Sequence, residues 1–187
     1  LSSSGDVDAL NAADIPGGER NVGDELTHLI ATIGENITLR RAANVFVSNG
    51  ALASYVHSAI VPGMGKIGVL VGLESKGDAD KLAELGKQIA MHIAAAKPLA
   101  VSQDDLDQAE VERERAVLSE QARESGKPEE IIEKMVIGRL RKFYEEVCLL
   151  DQTFVIDGET KISDVLANAT KELGAPVSVA GFALMVL

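Results

Sequence analysis

The sequence contains a single cysteine, Cys148, and no tryptophan. One cysteine excludes a disulfide within the chain and is typical of a protein in a reducing compartment. Aromatic residues make up only 3% of the chain, so the hydrophobic core must consist mainly of valine, isoleucine, leucine and alanine. No apolar run approaches the roughly 18 residues of a membrane span, and the N-terminus lacks the profile of a signal peptide. We therefore expect a cytoplasmic protein that does not interact with membranes.

Basic residues are also scarce. The chain has 18 lysines and arginines against 29 aspartates and glutamates, which gives a net charge of −11. Contacts with phosphates dominate the affinity of proteins for nucleic acids, and an acidic chain is poorly suited to making them. The densest basic run, residues 139–142, is followed closely by Glu145 and Glu146. The composition therefore favours a protein without direct nucleic-acid contacts.

Only three histidines are present, His28, His57 and His92, and none has the sequence spacing of a metal ligand. His92 lies near the apolar face of a predicted helix, where a packed or half-buried histidine is expected. His28 is expected on a helix surface. These residues predict no metal site.

His57 ends the alternating apolar stretch ASYVHSA, residues 53–59. As a general base it would need a nucleophile or an acid as its partner, and the sequence nominates none. Ser54, Tyr55 and Ser58 are near, but neighbours along a strand point to opposite faces. A core residue, a catalyst and a contact with another molecule remain open for His57 from the residues alone, with binding favoured over catalysis.

Two glycine-containing segments resemble nucleotide-binding motifs. Residues 63–68, GMGKIG, match the pattern G-x-G-x-x-G, which requires the loop to open a helix that holds the phosphates. This loop opens a strand-like run, so a flexible loop between strands is expected. Residues 125–128, SGKP, follow a helix and are expected to form a turn. No cofactor is predicted, and an enzyme that uses His57 with the 63–68 loop is the alternative from another functional class.

The first part of the chain predicts a loop, a helix and strands in that order. Residues 1–20 are rich in Gly, Ser, Asp and Asn, which indicates a loop. In residues 22–34, apolar side chains recur at helical spacing and Gly34 suits the C-terminal cap. Residues 36–59 predict two strands around an Asn-Gly turn, and residues 66–74 predict a buried strand.

The second part predicts a helical hairpin. Residues 78–98 form a helix that Pro98 ends, and a cap at Ser102 starts another that runs to about Glu124. A third helix follows the break at residues 125–128, and the short break makes the last two antiparallel. Their narrow apolar stripe indicates a projecting hairpin. A strand, a helix and a strand are expected afterwards, at residues 147–157, 161–174 and 176–187.

Five segments occur in the order and spacing of a known family. They are IGENITLRRA, SYVHSA, IGVLVGL, IAMHIAAAKP and the long run SGKPEEIIEKMVIGRLRKFYEEVCLLDQTFV, at residues 33–42, 54–59, 67–73, 89–98 and 125–155. On these segments the sequence resembles bacterial elongation factor Ts. The resemblance implies an α+β fold of antiparallel sheets packed with helices, with an inserted antiparallel helical hairpin, or coiled coil.

The resemblance also implies a domain division and a function. Residues 1–36 would be a remnant of the first core subdomain, residues 37–101 plus 147–187 the second, and residues 102–146 the protruding hairpin. The implied function is guanine-nucleotide exchange on the translation GTPase elongation factor Tu. Such a factor promotes GDP release by binding the nucleotide-free GTPase and performs no covalent chemistry, so neither catalytic residues nor a cofactor are implied.

By the same resemblance, five residues are expected to contact elongation factor Tu near its phosphate loop: Ile33, Gly34, Glu35, Asn36 and His57. Histidine suits such a contact because its flat body can pack while a ring nitrogen makes a hydrogen bond. For Glu35 and Asn36 the alternative is that they only end a helix and start a strand.

The sequence departs from the family in three respects. It lacks the family's N-terminal helical domain with its Thr-Asp-Phe-Val-Ala motif and the family's C-terminal tail, and its loop at residues 61–64 is longer than expected. The chain does not begin with Met, and it ends within a strand-like run. We therefore expect a piece of a longer protein with reduced exchange activity. A third alternative is a structural fragment that self-associates through the hairpin.

Overall fold

The computed structural model describes residues 5–187 of the chain. These residues form six α-helices and three β-strands, which confirms the predicted α+β class. The chain divides into two compact units, and the boundary lies between Val45 and Phe46. The division into residues 1–36, 37–101 with 147–187, and 102–146 remains a prediction.

The first unit contains two helices, α1 (Val7–Asn11) and α2 (Val22–Ile33). Helix α1 corrects the prediction of a loop, of which residues 1–4 lie outside the described part. It begins because the Asp6 side chain accepts a hydrogen bond from the amide of Asp8 at 2.9 Å, which satisfies a helix-start N–H group.

Helix α2 has the ends that the sequence predicts. The Asn21 side chain accepts a hydrogen bond from the Asp24 amide at 2.8 Å, which caps the N-terminus. At the other end Gly34 has a φ of 78°, and its amide donates to the Ile30 carbonyl at 2.9 Å. Glycine adopts this left-handed conformation without a steric cost, so it ends the helix here.

The second unit is built on a three-stranded antiparallel sheet. Its strands are β1 (Gly50–His57), β2 (Ile67–Glu74) and β3 (Ser178–Val186), in the order β1-β2-β3. The central strand β2 supplies Val69, Val71 and Leu73 to the core, all of them buried. The inward side chains of β1, Ala51, Ala53 and Tyr55, are only partly buried against this core.

Helices α3 (Ala79–Ala96) and α6 (Ile162–Leu173) complete the second unit's core. They bury apolar residues at helical spacing together with the sheet. The buried members of this cluster are Val69, Val71, Leu73, Leu82, Ile89, Ala90, Ile93, Ala94, Leu149, Phe154, Ile162, Leu166 and Val177.

Helix α3 approaches β1 closely at Gly86. A Cβ atom on Gly86 would lie 2.8 Å from the Cβ of Ala53 and 3.6 Å from the Cδ1 of Leu73. The first distance is shorter than carbon atoms tolerate, so only a residue without a side chain permits this helix–strand distance.

The first strand of the predicted Asn-Gly hairpin is absent, because residues 36–47 contain no strand. The amides of Ser48 and Asn49 donate to the Glu74 carboxylate, and the Ser75 amide donates to the Asn49 carbonyl at 2.8 Å. The turn residues are thus held by the end of β2 instead of by a strand before them. Prediction failed here because a short-range turn signal does not specify which strand is paired.

The predicted antiparallel hairpin is present as α4 (Gln108–Arg123) and α5 (Glu129–Val147). Gly126, between the helices, has a φ of 66°, as the turn requires. Two apolar clusters hold the hairpin. The distal cluster consists of Leu118, Ala122, Ile132, Met135, Val136 and Leu140. The base cluster joins Leu106, Val111, Phe143, Tyr144 and Val147 to Ala100 and Cys148.

The start of α4 differs from the prediction. Ser102 precedes a short 3-10 turn, Gln103–Asp105, and its amide donates to the Asp105 carboxylate at 2.9 Å. The long helix starts later, where the Asp107 side chain accepts from the Ala109 amide at 2.9 Å. Two capping residues lie close together here, and the buried Leu106 between them separates the two helical segments.

Residues 147–157, predicted as a strand, form the end of α5, a 3-10 turn at Leu149–Asp151 and a loop. Cys148 makes a single parallel bridge to Ala100, and the Leu149 amide donates to the Ala100 carbonyl at 2.9 Å. A short apolar run that becomes buried does not by itself distinguish a strand from a turn packed into the core.

Replacing residues 114–139 by a short Gly-Ser linker is expected to leave the rest of the second unit folded. The distal cluster contains only α4 and α5 residues, so its removal exposes no part of the sheet's core. Urea unfolding followed by circular dichroism should show a cooperative transition at nearly the original midpoint.

A longer deletion of residues 104–145 is the control for the base cluster. It also removes Leu106 and Val111, which are buried beside Cys148, and should lower the midpoint while the core stays folded. Loss of cooperative unfolding after the shorter deletion would show that the hairpin is part of the core.

Candidate partner-binding site

Strand β1 carries an exposed histidine at its end. Ala51, Ala53 and Tyr55 alternate along the strand and pack against the core, whereas His57, two residues further on, is exposed. Residues two apart on a strand share a face, so His57 continues the inward face of β1 past the edge of the core. The core alternative for His57 is therefore wrong.

Tyr55 holds the His57 ring. Its hydroxyl lies 3.0 Å from Nδ1 of His57, and the two ring centroids are 6.1 Å apart. When the hydroxyl donates to Nδ1, the proton of a neutral imidazole lies on Nε2, which is then a donor for another molecule. This pair was not predicted from the sequence, although the two-residue spacing on one strand is the signal for it.

The loop that follows His57 is a well-defined turn. Ser58 has a φ of 51°, which ends β1. Pro62 and the left-handed Gly63 then form a tight turn in which the Met64 amide donates to the Val61 carbonyl at 3.0 Å. Proline followed by a left-handed glycine is the pattern of a type II turn. The sequence predicts a flexible loop, whereas the structure has an ordered turn.

The G-x-G-x-x-G segment does not have the geometry of a dinucleotide loop. Gly63 lies in the turn, Gly65 packs against β1, and Gly68 is within β2. The segment therefore leads into a strand, as predicted, and offers no helix N-terminus to a pyrophosphate.

The other four candidate residues lie in the first unit, at the end of α2. Ile33 is 55% exposed, and Gly34, Glu35 and Asn36 are exposed as well. No neighbouring atom lies within 4 Å of the place where a Cβ of Gly34 would be. An exposed isoleucine beside an open glycine allows another backbone to approach closely. Glu35 and Asn36 lie beyond the helix, and no strand begins at Asn36.

His28 and His92 are placed as predicted. His28 is exposed on α2. His92 is fully buried, with Nε2 2.9 Å from the Gln152 side-chain oxygen, and Nδ1 accepts from the Val155 amide at 3.2 Å. Since Nδ1 accepts, Nε2 carries the proton and donates to Gln152, whose own amide donates to the Glu146 carbonyl at 2.6 Å. Burial lowers the pKa of His92, and the hydrogen bond with Gln152 opposes this in part.

Cys148 is buried at the base of the hairpin. Burial, together with the nearby charges of Asp151 and Asp105, raises the pKa of its thiol to about 11. A thiol with this pKa is protonated at neutral pH and is a poor nucleophile or metal ligand.

Within residues 5–187, no group of three or more histidine, cysteine, aspartate or glutamate side chains is arranged to hold a metal ion. Among the helices of the described part of the chain, none combines the length and apolar character needed to cross a membrane.

Comparison with known proteins connects this geometry to a family. The family model described as elongation factor TS matches residues 1–186. Over the whole chain the sequence is 61% identical to elongation factor Ts of Paramagnetospirillum magneticum, of which it covers 60%. It is 60% identical to elongation factor Ts of Rhodospirillum centenum over 97% of the chain and 59% of that protein.

The sequence is also 55% identical, over its whole length, to elongation factor Ts of Caulobacter vibrioides, and it covers 60% of that protein. The chain thus spans about three fifths of the length of these relatives. The match to the family model over nearly every residue shows that the chain belongs to the elongation factor Ts family.

Proposed function

We propose that the chain acts in translation elongation as a guanine-nucleotide exchange factor for elongation factor Tu. Membership of the elongation factor Ts family supports the proposal. The observation that carries it is the exposed His57, whose ring is held by the hydroxyl of Tyr55. This arrangement suits the recognition of another protein. We further propose that the chain acts in the cytoplasm.

Exchange of this kind needs binding energy and no covalent chemistry. A factor that binds the nucleotide-free GTPase more tightly than the loaded one weakens nucleotide binding by the same ratio, because the coupling between two ligands is reciprocal. Contacts near the phosphate loop or the magnesium ion suffice, since these groups hold the nucleotide's phosphates.

Two surfaces of the chain are assigned to this contact. The His57 ring supplies a flat apolar body, and Tyr55 fixes its orientation. When the Tyr55 hydroxyl donates to Nδ1, the ring also supplies a hydrogen-bond donor through Nε2. In the first unit, Ile33 supplies an exposed apolar side chain, Gly34 allows a close approach, and Glu35 and Asn36 supply polar groups at the edge.

The hairpin is a further candidate for contacts between copies of the chain. Ile131 and Ile137 are exposed large apolar residues of α5. Self-association through these residues is compatible with exchange, because they belong to a different element from His57.

The His57→Ala variant is expected to bind nucleotide-free elongation factor Tu about tenfold more weakly. A central contact contributes on the order of 1–2 kcal/mol, and 1.4 kcal/mol corresponds to a factor of ten. Calorimetric titration measures the affinity, and stopped-flow release of fluorescent GDP should show a parallel loss of stimulation. Thermal unfolding should be unchanged, because His57 is exposed.

His28→Ala is the matched control, since His28 is also exposed but lies outside the proposed contacts. It should bind and stimulate exchange like the unaltered chain. Unchanged affinity of His57→Ala together with a lower melting temperature would rule out the contact. GDP binding by the chain alone would favour the enzyme alternative.

A further inference from the structure

The loop directly after His57 exposes three large apolar side chains. Ile60, Val61 and Met64 are 81%, 48% and 67% exposed. We call these three residues the apolar tip. No charged residue occurs between Ser58 and Gly65. A concentration of exposed apolar residues in so short a segment marks a surface that becomes covered when another molecule binds.

The apolar tip is fixed in shape. Two backbone hydrogen bonds close the turn, from the Ile60 amide to the Met64 carbonyl at 2.9 Å and from the Met64 amide to the Val61 carbonyl at 3.0 Å. Pro62 restricts the backbone between them. An ordered turn loses little conformational entropy when it binds, which favours a contact made by a preformed projection.

The tip is also fixed in position relative to His57. A Cβ atom on Gly65 would lie 2.6 Å from Cγ1 of Val56 and 2.7 Å from the carbonyl oxygen of His57. The returning side of the loop therefore rests directly on the last residues of β1, an approach that only glycine allows. Through this contact the tip and the His57 ring belong to one end of the sheet.

We infer that the apolar tip is a second contact with the same GTPase, against an apolar surface beside the one that His57 contacts. The inference rests on the proposed function. Continuity with His57 favours the GTPase over a second copy of the chain, because a partner seated on His57 reaches a projection anchored to the same residue. Because the loop has no charged residue, the surface of the GTPase that it contacts is expected to be apolar and not acidic or basic.

The test is a double variant, Ile60→Ser with Met64→Ser, which keeps the turn and makes the tip polar. Its affinity for nucleotide-free elongation factor Tu, measured by calorimetric titration, should fall about thirtyfold, because two apolar side chains lose their burial. The loss should be nearly the same at low and high salt, and the heat-capacity change of binding should become less negative. The melting temperature should not fall.

The matched control is Val155→Ser with Ile156→Ser, which removes two exposed apolar residues from a loop elsewhere in the second unit. This control should bind like the unaltered chain. An equal loss in both double variants would contradict a specific contact at the tip.

The outcomes separate the inference from the proposed function. If His57→Ala weakens binding and the tip variant does not, the inference is wrong and the function stands. If the unaltered chain does not bind elongation factor Tu, both fail. If sedimentation shows that the tip variant loses self-association while its affinity for the GTPase is unchanged, a second copy covers the tip and the inference is overturned.

Discussion

Replacing His92 by alanine is expected to lower the free energy of unfolding by about 3 kcal/mol. The substitution leaves a cavity in the core beside α3. It also removes both hydrogen bonds of the ring, so the Gln152 oxygen and the Val155 amide lose their partner. Urea denaturation followed by circular dichroism measures the loss. His28→Ala should change the stability little, because His28 is exposed.

The same residue predicts how stability depends on pH. Burial lowers the pKa of His92 in the folded chain below its ordinary value of 6.5, so the unfolded chain binds this proton more readily. The contribution of neutral His92 is therefore complete above pH 6.5 and is lost as the pH falls from 6.5 through the folded pKa.

The His92→Ala variant should lack this part of the pH dependence. Denaturation series at several pH values between about 7.5 and 5, on both proteins, measure the difference in slope. A loss of stability below about 1 kcal/mol at neutral pH, or equal slopes for the two proteins, would contradict a structural role for the buried neutral ring.

Replacing Gly86 by valine is expected to destabilise the second unit by about 3 kcal/mol, because inserting carbon atoms into a packed contact forces its elements apart. Even the first added carbon would lie 2.8 Å from the Cβ of Ala53, so α3 and β1 must separate. Urea denaturation again measures the change, and reduced binding of elongation factor Tu should accompany it, since β1 carries His57.

Gly138→Val is the matched control. Gly138 is also a glycine within a helix, but it is exposed, and apart from the backbone of its own helix and its chain neighbours no atom lies within 4 Å of the place of its Cβ. The change in stability should stay within about 0.5 kcal/mol, because valine and glycine differ little in helix propensity. Equal destabilisation by the two substitutions would show that backbone conformation and not the contact with Ala53 is responsible.

Elements that are specified by residues close together in the sequence were predicted correctly. Helix α2 has an apolar stripe and a glycine cap, and both are present in the structure. The apolar stripe of α5, with Ile132 and Val136 buried, follows from helical spacing in the same way. These elements depend on residues near in sequence, which the sequence displays directly.

Elements that depend on distant residues were mispredicted. The Asn49–Gly50 turn is held by Glu74, which lies 25 residues from Asn49, and no local pattern indicates that bond. The run at residues 147–157 becomes a turn because Gln152 pairs with His92, 60 residues earlier. Tertiary hydrogen bonds decide the backbone in both places, so propensity alone was insufficient.

The candidate site was predicted only in part. The resemblance supplied His57 and the residues from Ile33 to Asn36, whose contact role stays a prediction. It did not supply Tyr55 or the apolar tip. The Tyr55 pairing was available from strand alternation, whereas the exposure of Ile60 and Met64 depends on a turn that folds back on Gly65.

The separation of the hairpin's distal cluster from the sheet has a consequence for sequence variation. Leu118, Ala122, Ile132 and Val136 contact each other across α4 and α5 and share no buried partner with the strands. Insertions that lengthen both helices by the same number of turns would extend this stripe and leave the register of the sheet untouched. The hairpin can therefore change in length without altering the register that pairs Ala51 with Leu73 in the sheet.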